Sequence, residues 1–307
     1  MSDSLEFTGE RFTPECVREI WYEHFHRYAL AAHWCDGMRV LDAACGEGYG
    51  SAVLAKTATT VEAVDIAADV VEHASKRYEQ IENLNYHVAD CISLPFADND
   101  FDRVVSFETL EHLAEQDALL AEFRRVLKPE GVLILSSPDK AVYSDLPGTS
   151  NHFHVKELYR DELEALVSRH FDAWSLLGQK LAFHSMIWSL DGVKNISLDQ
   201  LSDENLLSPQ GVAQSPMYLI ALCAAEKSLL PDSDQQLWLF DDQEESVYQH
   251  YQGEIQRNMA AGGIIAELEK EIEALKVQVG KVQAGKVQAG ELSSQETSWW
   301  QRLFGRR

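Results

Sequence analysis

The segment Val40-Leu41-Asp42-Ala43-Ala44-Cys45-Gly46-Glu47-Gly48-Tyr49-Gly50 constrains this chain more than any other. An apolar run ends in an acid, three glycines follow at alternate positions, and the helix formers Ser51-Ala52-Val53-Leu54-Ala55 come next. That order predicts a buried strand, a tight turn and a helix whose N-terminus faces a bound group. Glycine is needed where side chains would block close approach of that group to the backbone, or where φ is positive. Dinucleotide-binding folds use a similar turn, so the turn alone leaves the bound group open.

The sequel narrows it. About 20 residues on, Val61-Glu62-Ala63-Val64-Asp65 predicts a second strand ending in a carboxylate, the position that receives a ribose in doubly wound folds. Two carboxylate oxygens match two ribose hydroxyls. Asn85 to Cys91 predicts a third strand, with Asp90 at its end placed for an adenine amino group, and Phe101 to Phe107 a fourth, followed by Glu108-Thr109-Leu110-Glu111-His112. Phe123 to Gly131 closes a helix and leads into a strand from Val132 to Ser136. In this order, over roughly residues 38 to 140, the series resembles a class I S-adenosylmethionine-dependent methyltransferase. The spacing Gly-x-Gly-x-Gly, with no glycine at the sixth position, and Asp42 ahead of the turn set it apart from a dinucleotide fingerprint.

The resemblance implies an α/β fold, a doubly wound, seven-stranded, mostly parallel sheet, with S-adenosylmethionine as cofactor. It implies that Asp42, Ala44, Gly46 and Gly48 hold the amino-acid end of that cofactor. Asp65, with Ile66 beside it, then takes the ribose, and Asp90 with Cys91 the adenine. Arg11, Arg27 and Tyr28, from the segment ahead of the first strand, are placed to close over the cofactor carboxylate as a lid.

The formal charge of −24 argues against a nucleic-acid partner, because a duplex binder needs a basic face to displace counterions. Five cysteines without CxxC spacing (Cys16, Cys35, Cys45, Cys91, Cys223) suggest neither a disulfide framework nor a zinc site and fit a reducing cytoplasm. With no signal peptide and no run of eighteen apolar residues, the chain is expected neither to cross a membrane nor to be threaded through one.

Five segments are expected along the chain: an N-terminal extension over 1–36, helical from Ile20 to Trp34; the α/β domain over 37–227; a linker over 228–243 with Pro231 and an acidic cluster; a helix over 244–282; and a low-complexity, basic and aromatic end over 283–307. Late in the domain, a helix over 156–170, a strand from Phe171 to Gly178 and a last strand from Met217 to Cys223 complete seven strands, the late ones antiparallel as a hairpin. Ile265, Leu268, Ile272, Leu275, Val279 and Val282 step by three and four, a short heptad seam that predicts a homo-oligomeric coiled coil through 265–282. The units KVQVG, KVQAG and KVQAG follow, each glycine weakening a helix by about 1 kcal/mol. The end, Ser298 to Arg307, carries three arginines, no acids and four large apolar side chains, a composition suited to an anionic bilayer surface or to an acidic groove of a protein partner.

Methyl transfer from a sulfonium needs alignment of the acceptor and management of its proton. Glu108, Glu111 and His112 follow the fourth strand at the open sheet edge, spaced i, i+3, i+4 and so on one helical face. Two readings stand: His112 as general base, or Glu108, Glu111 and His112, joined by His152 or His154, around a divalent ion. The pattern is similar to the metal site of small-RNA 2′-O-methyltransferases and to a cluster in some quinone O-methyltransferases. Asn151-His152-Phe153-His154-Val155-Lys156-Glu157 is expected to line the acceptor pocket. After the fifth strand stands Ser136-Ser137-Pro138-Asp139, where amino-methylating DNA enzymes carry Asn or Asp, two prolines and an aromatic; this points towards oxygen acceptors.

A narrower resemblance covers residues 8 to about 180. Thr8 to Glu15, Glu23-His24-Phe25-His26-Arg27-Tyr28, the glycine turn, Ser106 to His112 and Asn151 to Glu157 resemble bacterial methyltransferases of surface-polysaccharide (O-antigen) clusters. Members of that group cap a growing glycan at a sugar hydroxyl or terminal phosphate, and carry coiled coils that recruit the polymerase at the inner membrane. The expectation is thus a cytoplasmic, oligomeric O-methyltransferase of a glycan or nucleotide-sugar. Its C-terminal end would meet the inner membrane surface or a glycosyltransferase. The alternatives are a small-molecule O-methyltransferase of quinone or natural-product type, and a cofactor-binding coiled-coil scaffold without activity.

Overall fold

The structure is a computed structural model that describes residues 19–182, 184, 200–201, 207–208, 212, 214–234 and 236–304. The chain divides into two units, residues 1–241 and 242–307. In the first, seven strands form one sheet: β1 Arg39–Ala43, β2 Thr60–Asp65, β3 Leu84–Val88, β4 Phe101–Phe107, β5 Leu127–Pro138, β6 Ala173–Gln179 and β7 Tyr218–Ala224. Their order across the sheet is β3-β2-β1-β4-β5-β7-β6. The central strands are parallel and buried on both faces, hence the apolar segments of β1, β2 and β4, broken only at single positions and near their ends. Helices α1 Glu19–Trp34, α2 Tyr49–Leu54, α3 Ala68–Arg77, α4 Gln116–Val126 and α5 Arg160–Val167 accompany the sheet.

Two hydrophobic clusters fill the space between the layers. One gathers Phe101, Leu119, Phe123, Leu133 and Leu163; the other gathers Tyr28, Ala31, Val40, Leu54 and Val105. The antiparallel element differs in detail from the expected hairpin. β7 alone runs against the rest, inserted between β5 and β6 and paired with both. β5 starts earlier than Val132: Leu127 pairs with Phe101, the ladder is interrupted, and pairing resumes at Arg103–Val132.

Residues 228–243, expected as a linker, instead return onto α1 as far as Asp241. Trp238 meets Trp34 edge-on, and Phe240 packs against Trp21, Tyr22 and His26. Tyr22 closes the contact with a hydrogen bond to Asp241. Apolar aromatic burial outweighs the loop-like composition there. α1 is therefore a fixed wall and not a loose lid: Arg27, Tyr28, Leu30 and Ala31 on it are buried, as is Cys35 just after it. Residues 1–18, which include Arg11 and Cys16, lie outside the described residues.

The second unit is one helix, α6 Ser246–Phe304, of 59 residues, about 90 Å long at 1.5 Å per residue. The helix expected to end at 282 continues through the glycine-bearing repeats. In the repeats the good helix formers Lys, Gln and Ala offset the valines and one glycine per unit. Among the described residues, no helix is long and apolar enough to cross a membrane.

Candidate active site

The strand order reverses between β1 and β4, which opens a crevice at the carboxyl ends of the strands. Two residues other than glycine take left-handed backbone there: Ala44 (φ 60°) after β1 and Glu108 (φ 52°) after β4. Such conformations cost about 1–3 kcal/mol each and persist where the surroundings over-determine them. The turn from β1 is held from below. Cys45 N–H donates to the Val64 carbonyl, Gly46 N–H donates to Asp65 Oδ2 at 3.0 Å, and Gly48 takes φ 91°. A Cβ on Gly48 would lie 2.5 Å from the Tyr86 hydroxyl, which donates to the Gly48 carbonyl. Glu47, buried in the turn, pairs with Arg77 at 2.9 Å and ties the turn to α3.

Asp42 is fully buried beneath the turn. Ser51 Oγ donates to its Oδ2 at 2.6 Å, and the Tyr28 hydroxyl donates to its Oδ1 at 3.1 Å. Burial pushes its carboxyl up to about 7; the Ser51 and Tyr28 hydrogen bonds oppose that rise and the Asp65 charge adds to it. Asp42 thus joins α1, β1 and α2 at one point, directly under the backbone expected to hold a ligand.

Asp65 ends β2 half-buried. Its Oδ1 accepts from Ala67 N–H and its Oδ2 from Gly46 N–H, which leaves two of about four lone-pair sites for ribose hydroxyls. Ile66 beside it is 71% exposed, an apolar face at the rim of the crevice. Asp90 accepts from Ile92 N–H, which turns the chain after β3. Cys91 is buried, and its thiol is pushed up to about 12 by burial and then by the Asp65 charge, so it is a packing group beside the adenine position.

Arg27 is the group that the sequence under-described. Its side chain is fully buried, yet Nε and Nη2 have no partner among the described residues. Nη1 donates to Gln179 Oε1 at 2.8 Å and lies 3.9 Å from Glu108; the guanidinium stacks 4.7 Å from the Tyr218 ring centroid. A buried cation with two unsatisfied donors beside the crevice fits an incoming carboxylate.

On the other side of the β4 end, Ser136 Oγ donates to Glu108 Oε1 at 2.6 Å. Glu111 is buried with Oε2 unpaired; burial, then the Glu108 charge, holds its carboxyl well above the usual carboxylate range. The backbone carbonyl of Glu111 accepts from both Val155 and Lys156, which brings the 151–157 segment over the β4 loop. His112 Nδ1 faces the Phe153 carbonyl at 3.2 Å and therefore donates to it, placing the lone pair of the neutral ring on Nε2. His112 Nε2 lies 3.9 Å from Glu111. The Asn151 Oδ1 accepts from Phe153 N–H, so its amide NH₂ faces His154 Nε2 at 3.0 Å. His154 Nδ1 then donates to Glu157 at 2.6 Å.

Glu111, His112 and His154 each offer a ligand atom, all within 4.8 Å of one another. His152, weighed with His154 for such a set, is not with them: its ring stacks on Phe153 at 3.9 Å, exposed. The turn closed by the Asn151–Phe153 hydrogen bond aims alternate side chains to opposite sides. Tyr143, Gln179 and Tyr218 also stand at this edge without having been singled out, beside Ser136, which was noted only in the segment after the fifth strand. The signal was present in part: Gln179 is a polar residue that ends β6 as Asp65 ends β2.

The fold and crevice define a protein that holds a nucleoside cofactor, with a carboxylate clamp at one end and a polar acceptor wall at the other. Residues 41–135 match the family described as "Methyltransferase domain". The chain is 36% identical over 184 residues to a "probable S-adenosylmethionine-dependent methyltransferase" of Mycolicibacterium smegmatis, spanning 58% of this chain and 70% of that one. A protein of the same description from Mycobacterium tuberculosis is 38% identical over 168 residues, 53% of this chain and 60% of that one. Among solved structures, the PH0226 protein of Pyrococcus horikoshii is 22% identical, with a TM-score of 0.48 over 67% of this chain and 92% of that one. The chain belongs to the S-adenosylmethionine-dependent methyltransferases. The residues present fit that cofactor: the turn and the unpartnered donors of Arg27 would hold its amino-acid end, Asp65 with Ile66 beside it the ribose, and Asp90 with Cys91 the adenine.

Proposed function

We propose that the protein methylates a hydroxyl oxygen of a sugar in a bacterial surface glycan, capping the growing chain. One observation carries this reading: the wall beyond the β4 end is built of hydrogen-bonding side chains, Glu108, Glu111, His112, Tyr143, Asn151 and His154. A polyhydroxylated acceptor can pair with such a wall. A flat apolar ring would leave the buried Oε2 of Glu111 unsatisfied, at about 1–3 kcal/mol. The narrower resemblance of residues 8–180 to polysaccharide-cluster methyltransferases points the same way.

When bound, the cofactor supplies an electrophilic methyl on a sulfonium. The chain's own residues orient the acceptor and move one proton. His112 takes the hydroxyl proton at Nε2, its Nδ1 proton being held by the Phe153 carbonyl. Arg27 and the turn fix the cofactor's amino-acid end, so that the oxygen approaches in line.

A divalent cation is the second reading, favoured by one feature. His112 gives Nδ1 to the Phe153 carbonyl and leaves Nε2 3.9 Å from Glu111, the orientation that a metal-ligating histidine adopts, whereas His154 would exchange its Nε2 contact with the Asn151 amide for the ion. The same reading of the whole protein gives residues 298–307, where Trp299 is 57% exposed, the task of holding the enzyme at the inner membrane surface. A Trp299→Ala/Trp300→Ala double variant should leave the membrane fraction, and unchanged fractionation refutes that role.

The test is calorimetric titration with S-adenosylmethionine, with Asp65→Ala as control, followed by methyl transfer to a panel of glycan acceptors with and without EDTA. Cofactor binding lost in the variant and label in a glycan support the reading. Binding with label only in small-molecule acceptors overturns the glycan assignment, and activity lost in EDTA and restored by a divalent ion selects the metal over the base.

A further inference from the structure

We propose that α6 pairs with α6 of a second copy of this chain as a parallel, in-register, two-stranded coiled coil. Ile265, Leu268, Ile272, Leu275, Val279 and Val282 lie along one stripe of the helix, each 51–59% exposed in the single chain. Their spacing is heptad: Ile265, Ile272 and Val279 at a, Leu268, Leu275 and Val282 at d. β-Branched residues at all three a positions with leucine at two of the three d positions favour two strands over three or four.

Polar positions select the same arrangement. One heptad before Ile265, the a position is Asn258, and a single asparagine at a fixes register and strand number by pairing with its counterpart. In a parallel pair, each g residue meets the e residue five positions on in the second copy. Here that places Glu271 against Lys276 of the second copy, twice by symmetry. An antiparallel pair would match g with g and e with e, giving Glu269 to Lys276 in place of Glu271, so strand direction rests on Asn258, which meets its own counterpart only in the parallel, in-register pair. Within one chain, Lys276 lies 3.5 Å from Glu273, both exposed, an i, i+3 contact that yields readily to a partner.

The helix itself calls for a second strand. It carries Gly253, Gly262, Gly263, Gly280, Gly285 and Gly290 over its 59 residues. A helix so interrupted draws its stability from burying an apolar stripe and not from its own propensity. A second copy of the same stripe is the self-complementary occupant, apolar against apolar and Glu271 against Lys276.

Sedimentation equilibrium of the full chain should give twice the 34.6 kDa of one chain. A mass of one chain overturns self-association, and three or four chains overturn the two-stranded arrangement. Leu268→Asp/Leu275→Asp should give single chains that bind S-adenosylmethionine as the parent does; a dimer that survives this change overturns the seam. Register is read separately in a Cys16→Ser background, the other cysteines being buried. Leu268→Cys and Val282→Cys, made one at a time, should each cross-link to a covalent dimer on mild oxidation. Cross-linking at only one of them, or at neither, means an antiparallel or shifted pair and refutes the proposal. Glu271→Lys should raise the dissociation constant at least tenfold, and adding Lys276→Glu should restore it; no rescue removes the g–e pairing.

Discussion

Replacing Asp42 by asparagine should make the protein's stability less sensitive to pH between about 4 and 7. The carboxyl is fully buried, and its proton affinity rises from an ordinary 3.8 to about 7 on folding. Below pH 3.8 folded and unfolded chains both hold this proton, and the contribution of the neutral acid is fully present. As pH rises the unfolded chain releases the proton first, so stability falls until the folded group ionises near pH 7. At about 1.4 kcal/mol for each tenfold step in proton affinity, the gap between 3.8 and about 7 amounts to about 4 kcal/mol. Asparagine keeps the shape and one acceptor for Ser51 or Tyr28 but has no proton to lose. Urea unfolding of the cofactor-free protein at pH 4.5 and pH 7.5, followed by near-UV circular dichroism, isolates Asp42 because other titrations cancel between parent and variant. Relative to the parent, the variant should gain about 3 kcal/mol between the two pH values. A stability difference between parent and variant that stays constant with pH would refute the claim that Asp42 is buried against its charge.

Four further outcomes follow from the same geometry. Asp65→Ala should abolish measurable binding of S-adenosylmethionine in calorimetry, since the ribose loses its acceptors and Gly46 and Ala67 lose theirs. Arg27→Met should weaken cofactor affinity by about tenfold to 100-fold, the range of a charge-assisted hydrogen bond worth about 1.5–3 kcal/mol, and unchanged affinity would remove Arg27 from the clamp. His112→Gln should lower kcat by about 10²–10⁴-fold while leaving cofactor affinity intact; an equal loss in both would make the residue structural. Gly50→Ala places a Cβ against the Tyr28 ring, and overpacking of about 1–3 kcal/mol should lower Tm by several degrees; a Tm within 1 °C of the parent would show that α1 yields there.

The sequence made β1 to β4 legible because their chemistry is local. A doubly buried parallel strand must be largely apolar, and within a few residues of its end each strand gives way to a polar residue at the same edge, Asp65 ending β2, Asp90 after β3 and Glu108 after β4. The glycine turn was legible for the same reason, since a positive φ at Gly46 and Gly48 leaves few residue choices. What was not legible is what long-range packing decides. β7 lies between β5 and β6 although it follows both in the chain, and no local pattern records that insertion. Nor does composition show that Trp238 and Phe240 return to α1, or that His154 and not His152 turns inward. Arg27 was noticed by its place ahead of the first strand. That it is buried with two unpaired donors depends on Gln179 and Tyr218, more than 150 residues away.

These long-range features share a physical sense. Ala44 and Glu108 hold strained left-handed backbone at the ends of the two strands that flank the crevice. Asp42 and Glu111 are buried against their charge, and Arg27 is buried short of partners. Each costs the folded chain free energy, and all sit within one sheet edge while the apolar clusters on both faces are fully packed. A site assembled against its own stability is held by its scaffold in a shape that a ligand completes: a carboxylate satisfies Arg27, and ribose hydroxyls take up the remaining lone pairs of Asp65. Ligand binding therefore recovers free energy that folding alone left unrealised. S-adenosylmethionine should accordingly raise Tm in the parent well above the increase it gives in Arg27→Met, at the same multiple of each protein's dissociation constant for simple mass action to be held fixed. An equal rise in both would mean that the unpaired donors of Arg27 are satisfied by water and that the strain at this edge serves no ligand.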